Sequence, residues 1–188
     1  MASSFLGLAR SGEITSAEGF NECMRFHADT KTYSLLLRWK PLSDNEMLSL
    51  TIKLADKKQI IDTLDVGRTN FSLRNFDAIA PTLRTSKTLV NLDLGHNDLG
   101  LDGARRISKV LLDNCTLEYV NLEWNKIGTQ GLLLIVKALE DNPNSRLSVL
   151  DIHSNGITDE GALVCFFQYL FLFFDYLCPV GTFKTPDA

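Results

Sequence analysis

An eleven-residue phrase recurs three times in this chain with its apolar and asparagine positions kept, at Leu89 to Leu99, Leu117 to Ile127 and Leu147 to Ile157. It reads L-x-x-L-x-L-x-x-N-x-L, and its copies begin 28 and then 30 residues apart. A period of that length marks a short supersecondary unit stacked upon itself, because one such unit cannot bury its apolar face alone. Six residues after each asparagine stands a glycine, Gly103, Gly131 or Gly161. A fourth copy, Ile61 to Phe71, has Thr69 in place of the asparagine. A fifth, worn copy begins at Thr32, with Leu35, Leu37 and Leu42 at the apolar places and Lys40 where the asparagine should stand.

Alternation along a strand sends Leu92 and Leu94 inward and Asn91, Asp93 and Gly95 outward. Where the strand ends, backbone groups lose their ladder partners and must be satisfied inside. An asparagine amide supplies both donor and acceptor. Asn97, Asn125 and Asn155 are therefore predicted to stack as an internal ladder, to which Thr69 contributes in part and Lys40 not at all. Beyond each asparagine the apolar period lengthens to that of a helix, at Ala104, Ile107, Val110 and Leu111 from Gly103, and at Leu132, Ile135, Val136, Ala138 and Leu139 from Gly131. The helices are expected to stop at Asp113-Asn114 and Asp141-Asn142-Pro143. A unit of strand, turn, helix and turn resembles the ribonuclease-inhibitor-like class of leucine-rich repeats, the cytosolic type found in that inhibitor, in NOD-like receptors and in the Ran GTPase-activating protein. The resemblance spans roughly residues 32 to 169. It implies an α/β solenoid of about four to five repeats, with parallel strands on a concave face and helices on a convex one.

A chain of 188 residues with 45% hydrophobic content can bury one continuous, quasi-linear core. Its net charge of -4 and lack of a basic run argue against nonspecific nucleic-acid binding, which needs cations to displace counterions. Residues 1 to 10 have neither a basic n-region nor an apolar stretch of signal-peptide length. Cys23, Cys115, Cys165 and Cys178 show no C-x-x-C spacing and no paired flanking clusters. Both point to the cytoplasm, with the nucleus also open. Sequons at Asn70 and Asn114 matter only in a secreted chain. Residues 1 to 31 carry no repeat phrase. Thr15-Ser-Ala-Glu18 has capping-box form, and Phe20, Cys23, Met24 and His27 share one face of a short helix, expected as an N-terminal cap or, less readily, a docking motif. From Val164 the repeat register is lost in an aromatic-rich run, with Leu172 where a polar stop is due. Residues 170 to 188 are then the tail of a truncated or spliced product, a self-docking cap or, least well supported because Gln168 and Asp175 interrupt it, a membrane anchor. As it stands, such a tail favours self-association.

No catalytic constellation, cofactor motif or metal site is found. Gly7 to Gly12 has the glycine spacing of a P-loop, but Glu13 replaces the phosphate-binding lysine and Ile14 the metal-binding hydroxyl. His96 and His153 lie two repeats apart, about 10 Å, too far to share one zinc; a solvated surface histidine is the simpler reading. Asp151, His153 and Ser154 are too close on one strand to converge as a triad.

What remains is the strand face. The residue between the two core leucines is, from first unit to last, Leu36, Asp65, Asp93, Asn121 and Asp151. The column two residues later is Arg38, Gly67, Gly95, Glu123 and His153, and the next is Trp39, Arg68, His96, Trp124 and Ser154. The central column is acidic and invites a partner's Lys or Arg, although aspartate there is also common in this repeat class as a solvated residue. Trp124 with Tyr119 and Glu123 forms one expected anchor. Trp39, three repeats away, is a separate anchor or packs on the N-terminal cap. The expected contact set is Asp65, Arg68, Asp93, His96, Tyr119, Asn121, Glu123, Trp124, Asp151 and His153. The sequence thus predicts a non-enzymatic module that binds a protein with a basic patch. The alternative, by resemblance to the Ran GTPase-activating protein, is a regulator of a small GTPase or another enzyme, for which no residue here carries the activity over.

Overall fold

The computed structural model describes residues 20, 23–56, 58–159, 161 and 163. A hairpin of β1 (Met24–His27) and β2 (Thr32–Leu36) leads into α1 (Asp44–Ala55), β3 (Ile61–Asp65), α2 (Leu73–Thr85), β4 (Asn91–Asp93), α3 (Gly100–Asp113), β5 (Tyr119–Asn121), α4 (Gly128–Glu140) and β6 (Val149–Asp151). The strands form one sheet in chain order. From β2 to β6 every pair is parallel. Each helix packs on the next, which makes a second layer. The structure is therefore a two-layer solenoid, and the worn copy at Thr32 is a full unit of it.

The inward positions of the phrase build the core. Leu35, Leu64, Leu92, Val120 and Leu150 stand opposite one another in the sheet. All are buried, as is the next inward row, Leu37, Val66, Leu94, Leu122 and Ile152. Each such side chain contributes about 1.5 to 3 kcal/mol of burial. Helix residues meet them from the other layer, and the predicted apolar faces of α3 and α4 are the buried ones. These helices start at Gly100 and Gly128, three residues before the expected glycines. Gly131 is a packing residue: a Cβ there would lie 2.8 Å from Cβ of Ala104 on α3.

The ladder is present. Asn97 Oδ1 accepts from the N–H of Thr69 (3.2 Å) and Phe71 (2.9 Å), while its Nδ2 donates to the carbonyls of Val66 and Leu94. Asn125 and Asn155 repeat the arrangement one unit on. Thr69 covers part of it, donating to Val66 O. Lys40 instead reaches Glu46, the residue that closes the capping box at the start of α1. A second series, absent from the sequence reading, satisfies the opposite turns. Asn114 Nδ2 donates to Leu83 O, and Asn142 Nδ2 donates to Leu111 O and Asn114 O.

One expectation is overturned within the N-terminal segment. Met24–His27 is strand, not helix, and pairs antiparallel with β2. The edge of the first unit leaves backbone N–H and C=O groups open, and a strand satisfies them where a helix cannot. The rest of the expected capping helix, and the whole aromatic-rich run from Val164, lie outside the described residues.

Candidate functional site

At the outward positions, the acidic column is first of all a set of turn caps. The side chains of Asp65, Asp93, Asn121 and Asp151 each accept the N–H two residues on, from Gly67 (2.9 Å), Gly95 (2.8 Å), Glu123 (2.7 Å) and His153 (3.1 Å). Asp and Asn recur there because a short acceptor closes the corner where the strand ends. Asn121 is buried and also donates to Asp93 Oδ2 at 3.2 Å.

The chain also supplies its own cation. Arg38 Nε lies 3.0 Å from Asp65 Oδ2, and its Nη2 bonds Asp93, so one guanidinium spans two strands. It can do so because Gly67 leaves room: a Cβ there would come within 3.0 Å of the guanidinium carbon. Repulsion between the Asp65 and Asp93 carboxylates is thus already relieved inside the chain. Burial pushes the Asp65 carboxyl above its usual range, with the Gly67 N–H and Arg38 opposing. For Arg38 burial acts downward, but hydrogen bonding and charge attraction to Asp65 and Asp93 outweigh it and hold the guanidinium above its ordinary value.

At the rim, Trp39, Arg68, His96, Trp124 and Ser154 all adopt left-handed backbone, with φ between 54° and 70°. Each non-glycine residue in that conformation costs on the order of 1 kcal/mol. The residues after the ladder position, Asn70, Asp98, Lys126 and Gly156, are left-handed too. What holds the rim is the continuing ladder: the N–H groups of Trp39, Arg68, His96 and Trp124 each donate to a carbonyl of the next unit. Strands about 4.8 Å apart place one column's side chains at stacking distance. The Arg68 guanidinium lies 4.3 Å from the centroid of the Trp39 ring. Its Nη2 is 2.9 Å from His96 Nε2. The His96 ring stacks on Trp124 at 5.7 Å with 12° between planes.

Two expectations change here. Trp39 and Trp124 are not separate anchors, because Arg68 and His96 join them into one stripe. His96 is no solvated surface histidine but sits between Arg68 and Trp124, with Glu123 Oε2 at 3.6 Å from its Nε2. The tryptophans nevertheless stay 66% and 54% exposed. Arg38 is the residue that reading by column could not rank. Its only signal was a long cation beside Gly67 and Gly95, the two positions without side chains in the way.

Tyr119 and Asp151 stand at neighbouring places toward the C-terminal end of the face. Burial, then the charges of Asp151 and Asp93, raise the Tyr119 phenol, with Glu123 adding to them and Arg38 opposing. His153 Nδ1 lies 2.7 Å from Asp151 Oδ1. Among the described residues no group of three or more His, Cys, Asp or Glu is placed to hold a metal ion, and no helix is long and apolar enough to cross a membrane. A cavity of about 10 Å³ between the layers, lined by Leu54, Ile61, Leu83 and Leu89 among others, is far from the face and has room for one water.

Strand–helix units stacked around internal asparagines define a repeat solenoid of the interaction-module type. The leucine-rich repeat family model matches residues 85–108, 113–136 and 144–164, so the chain carries leucine-rich repeats there. Proteins of this kind generally act as non-enzymatic protein-interaction modules. No curated protein matches the chain. The two units upstream of the matches, which carry Thr69 and Lys40, have the same strand–helix form.

Proposed function

We propose that the chain is a non-enzymatic module of the ribonuclease-inhibitor-like class that binds a protein partner through its strand face. The class assignment is supported by a full helix of 12 to 14 residues in each of the four complete units. The observation that carries the function is the rim stripe. Two tryptophans more than half exposed are held in place by left-handed backbone and inter-unit hydrogen bonds. Rigid, exposed aromatic anchors lose little entropy on binding and supply most of an interface's energy. Arg68, His96, Tyr119, Glu123, Trp124, Asp151 and His153 form the contact set. Asp65, Asp93 and Asn121 act mainly by shaping the face, through their turn caps and Arg38. A reducing compartment, cytoplasm or nucleus, fits the sequon at Asn114: its side chain is buried and its amide nitrogen is committed to Leu83 O.

The test is quantitative capture from cell extract with the native chain, a Trp124→Ala, Glu123→Lys double variant and an Arg105→Glu variant on the exposed side of α3. Recovery should fall at least tenfold with the double variant and stay unchanged with Arg105→Glu. The reverse order moves the interface to the helix layer.

A further inference from the structure

The rim stripe is a sequence of stacked groups in which each member is covered by the one that follows it in the next unit. Arg68 covers Trp39, His96 meets Arg68, and Trp124 covers His96. The series then breaks. The next rim residue is Ser154, whose single side-chain oxygen is too short to cover an indole. Among the described residues no ring or guanidinium stacks on the face of Trp124 turned away from His96, which leaves that face open to them, and Trp124 and Ser154 are both exposed.

The charges around that open face differ from those at Trp39. Asp65 and Asp93 are bridged by Arg38. The carboxylates of the Trp124 end, Glu123 and Asp151, have histidines as their ion-pairing neighbours among the described residues, His96 at 3.6 Å and His153 at 2.7 Å. Asp65 and Asp93 thus share a planar guanidinium, whereas among the described residues neither Glu123 nor Asp151 is paired with an arginine or lysine.

We infer that the open face of Trp124, flanked by Glu123 and Asp151, is a subsite for one arginine side chain of a protein partner. It rests on the strand-face reading and adds the chemistry of the group that docks there. The chain carries the geometry in its own first units: a guanidinium 4.3 Å above the Trp39 ring, supplied from the next rim position. A planar guanidinium stacks on an aromatic face while its edge N–H groups reach carboxylates, which the compact ammonium of lysine cannot do in one placement.

The experiment pans the immobilised full-length protein with a phage-displayed random peptide library. Enriched peptides are resynthesised with each arginine replaced in turn by citrulline, which keeps the shape and removes the charge. Replacing one particular arginine should weaken binding about tenfold. Ser154→Arg should weaken the native peptide by a similar factor, because the variant lays its own guanidinium on Trp124, and citrulline should then make no further difference. The substitution suits the backbone, since Arg68 occupies the equivalent left-handed position at φ 56°. The citrulline series on the native protein decides the matter should the variant fold poorly. Failure to enrich any peptide, equal binding of arginine and citrulline peptides, or equal binding by native and Ser154→Arg chains overturns the inference. Peptides that lose binding to Trp124→Ala yet ignore citrulline and Ser154→Arg preserve the strand-face reading and remove the arginine subsite alone. Peptides indifferent to Trp124→Ala remove both.

Discussion

The two ends of the strand face are built on the same backbone and finished differently. In the N-terminal half, Arg38 crosses Gly67 to pair with Asp65 and Asp93, and Arg68 lies on Trp39, so the acids and the first tryptophan are each occupied from within the chain. In the C-terminal half the matching backbone positions carry Glu123 and His153 in place of Arg38, and Ser154 in place of Arg68. Among the described residues nothing stacks on the second face of Trp124, and the ion-pairing neighbours of Glu123 and Asp151 are imidazoles. A repeat protein places the same positions side by side by construction, so one unit shows how the vacancy in another can be filled. The internal partners of the first half are the pattern for the arginine proposed at the second.

That contrast requires the interior to be the same throughout, and the largest effect tests this. Asn125→Ala removes an amide that accepts two backbone N–H groups and donates to the carbonyls of Leu94, Leu122 and Glu123. Stability should fall by about 3 to 5 kcal/mol in urea unfolding, because the orphaned groups stay buried. Thr69→Ala, which loses one hydrogen bond to Val66 O, should cost about 1 kcal/mol. Two separate unfolding steps in the native chain would mean that the halves differ in the core as well, and the comparison of faces would lose its basis. Next in size is Arg38→Ala, expected to cost about 2 kcal/mol because two largely covered carboxylates lose their counter-ion. Adding Asp93→Asn should recover part of that loss. The single variant also gives the first half an uncompensated acidic face, and arginine-bearing peptides should bind it in addition to the Trp124 end. Unchanged stability would show that Arg38 is spectator to the acids.

The fold was legible because the phrase specifies it at each level. Strand alternation, the asparagine ladder and the helical period agree from Leu89 onward, and the copies at Ile61 and Thr32 keep Leu64, Leu35 and Leu37 in the core. The site was legible only as columns. Adjacent positions can be written down from the period, but whether they touch depends on side-chain length and backbone sign. Nothing in the letters shows that Trp39, Arg68, His96 and Trp124 share a left-handed turn, which is what aligns them. Arg38 was hidden for a similar reason: a long side chain leaves its own column, and only the two glycines beside it hint at the path. The strand at Met24–His27 was misread because helical spacing over four residues is a weak signal against the demand of an open sheet edge. Helices α3 and α4 do end at Asn114 and just before Asn142, as expected, but the buried hydrogen bonds of these asparagines are hidden in the sequence, where a buried amide and a solvated turn residue look alike.

Asp65→Asn should have a smaller effect whose sign depends on pH. Burial holds the Asp65 carboxyl above its usual range in the folded chain, so ionising it costs more there than in the unfolded chain. The folded state therefore binds that proton more tightly, and the penalty is absent below the ordinary aspartate value of about 3.9. It grows as pH rises through the window between that value and the raised one, and is complete above it. Asparagine keeps the acceptor for Gly67 and carries no such charge, as Asn121 does two units on. The urea midpoint of Asp65→Asn should thus rise relative to the native midpoint as pH increases across this window. A relative fall would mean that the pair with Arg38 outweighs desolvation, and that the first half is held by attraction more than it is strained by burial.

The smallest expected effect bears most directly on the contrast between the two tryptophans. If Arg68 stabilises the Trp39 face, a double-mutant cycle with Trp39→Ala and Arg68→Ala should return a coupling of about 0.5 kcal/mol, the range for an exposed cation over an indole. Arg68→Lys should keep less of it, because an ammonium has no plane to stack, and Arg68→Gln should keep little. Raising the salt should weaken the coupling only modestly, since the attraction acts at contact distance and is less screened than separated surface charges. A coupling of zero would make the contact at Trp39 an accident of proximity, and the open face of Trp124 would then lack the internal precedent that identifies its partner as arginine.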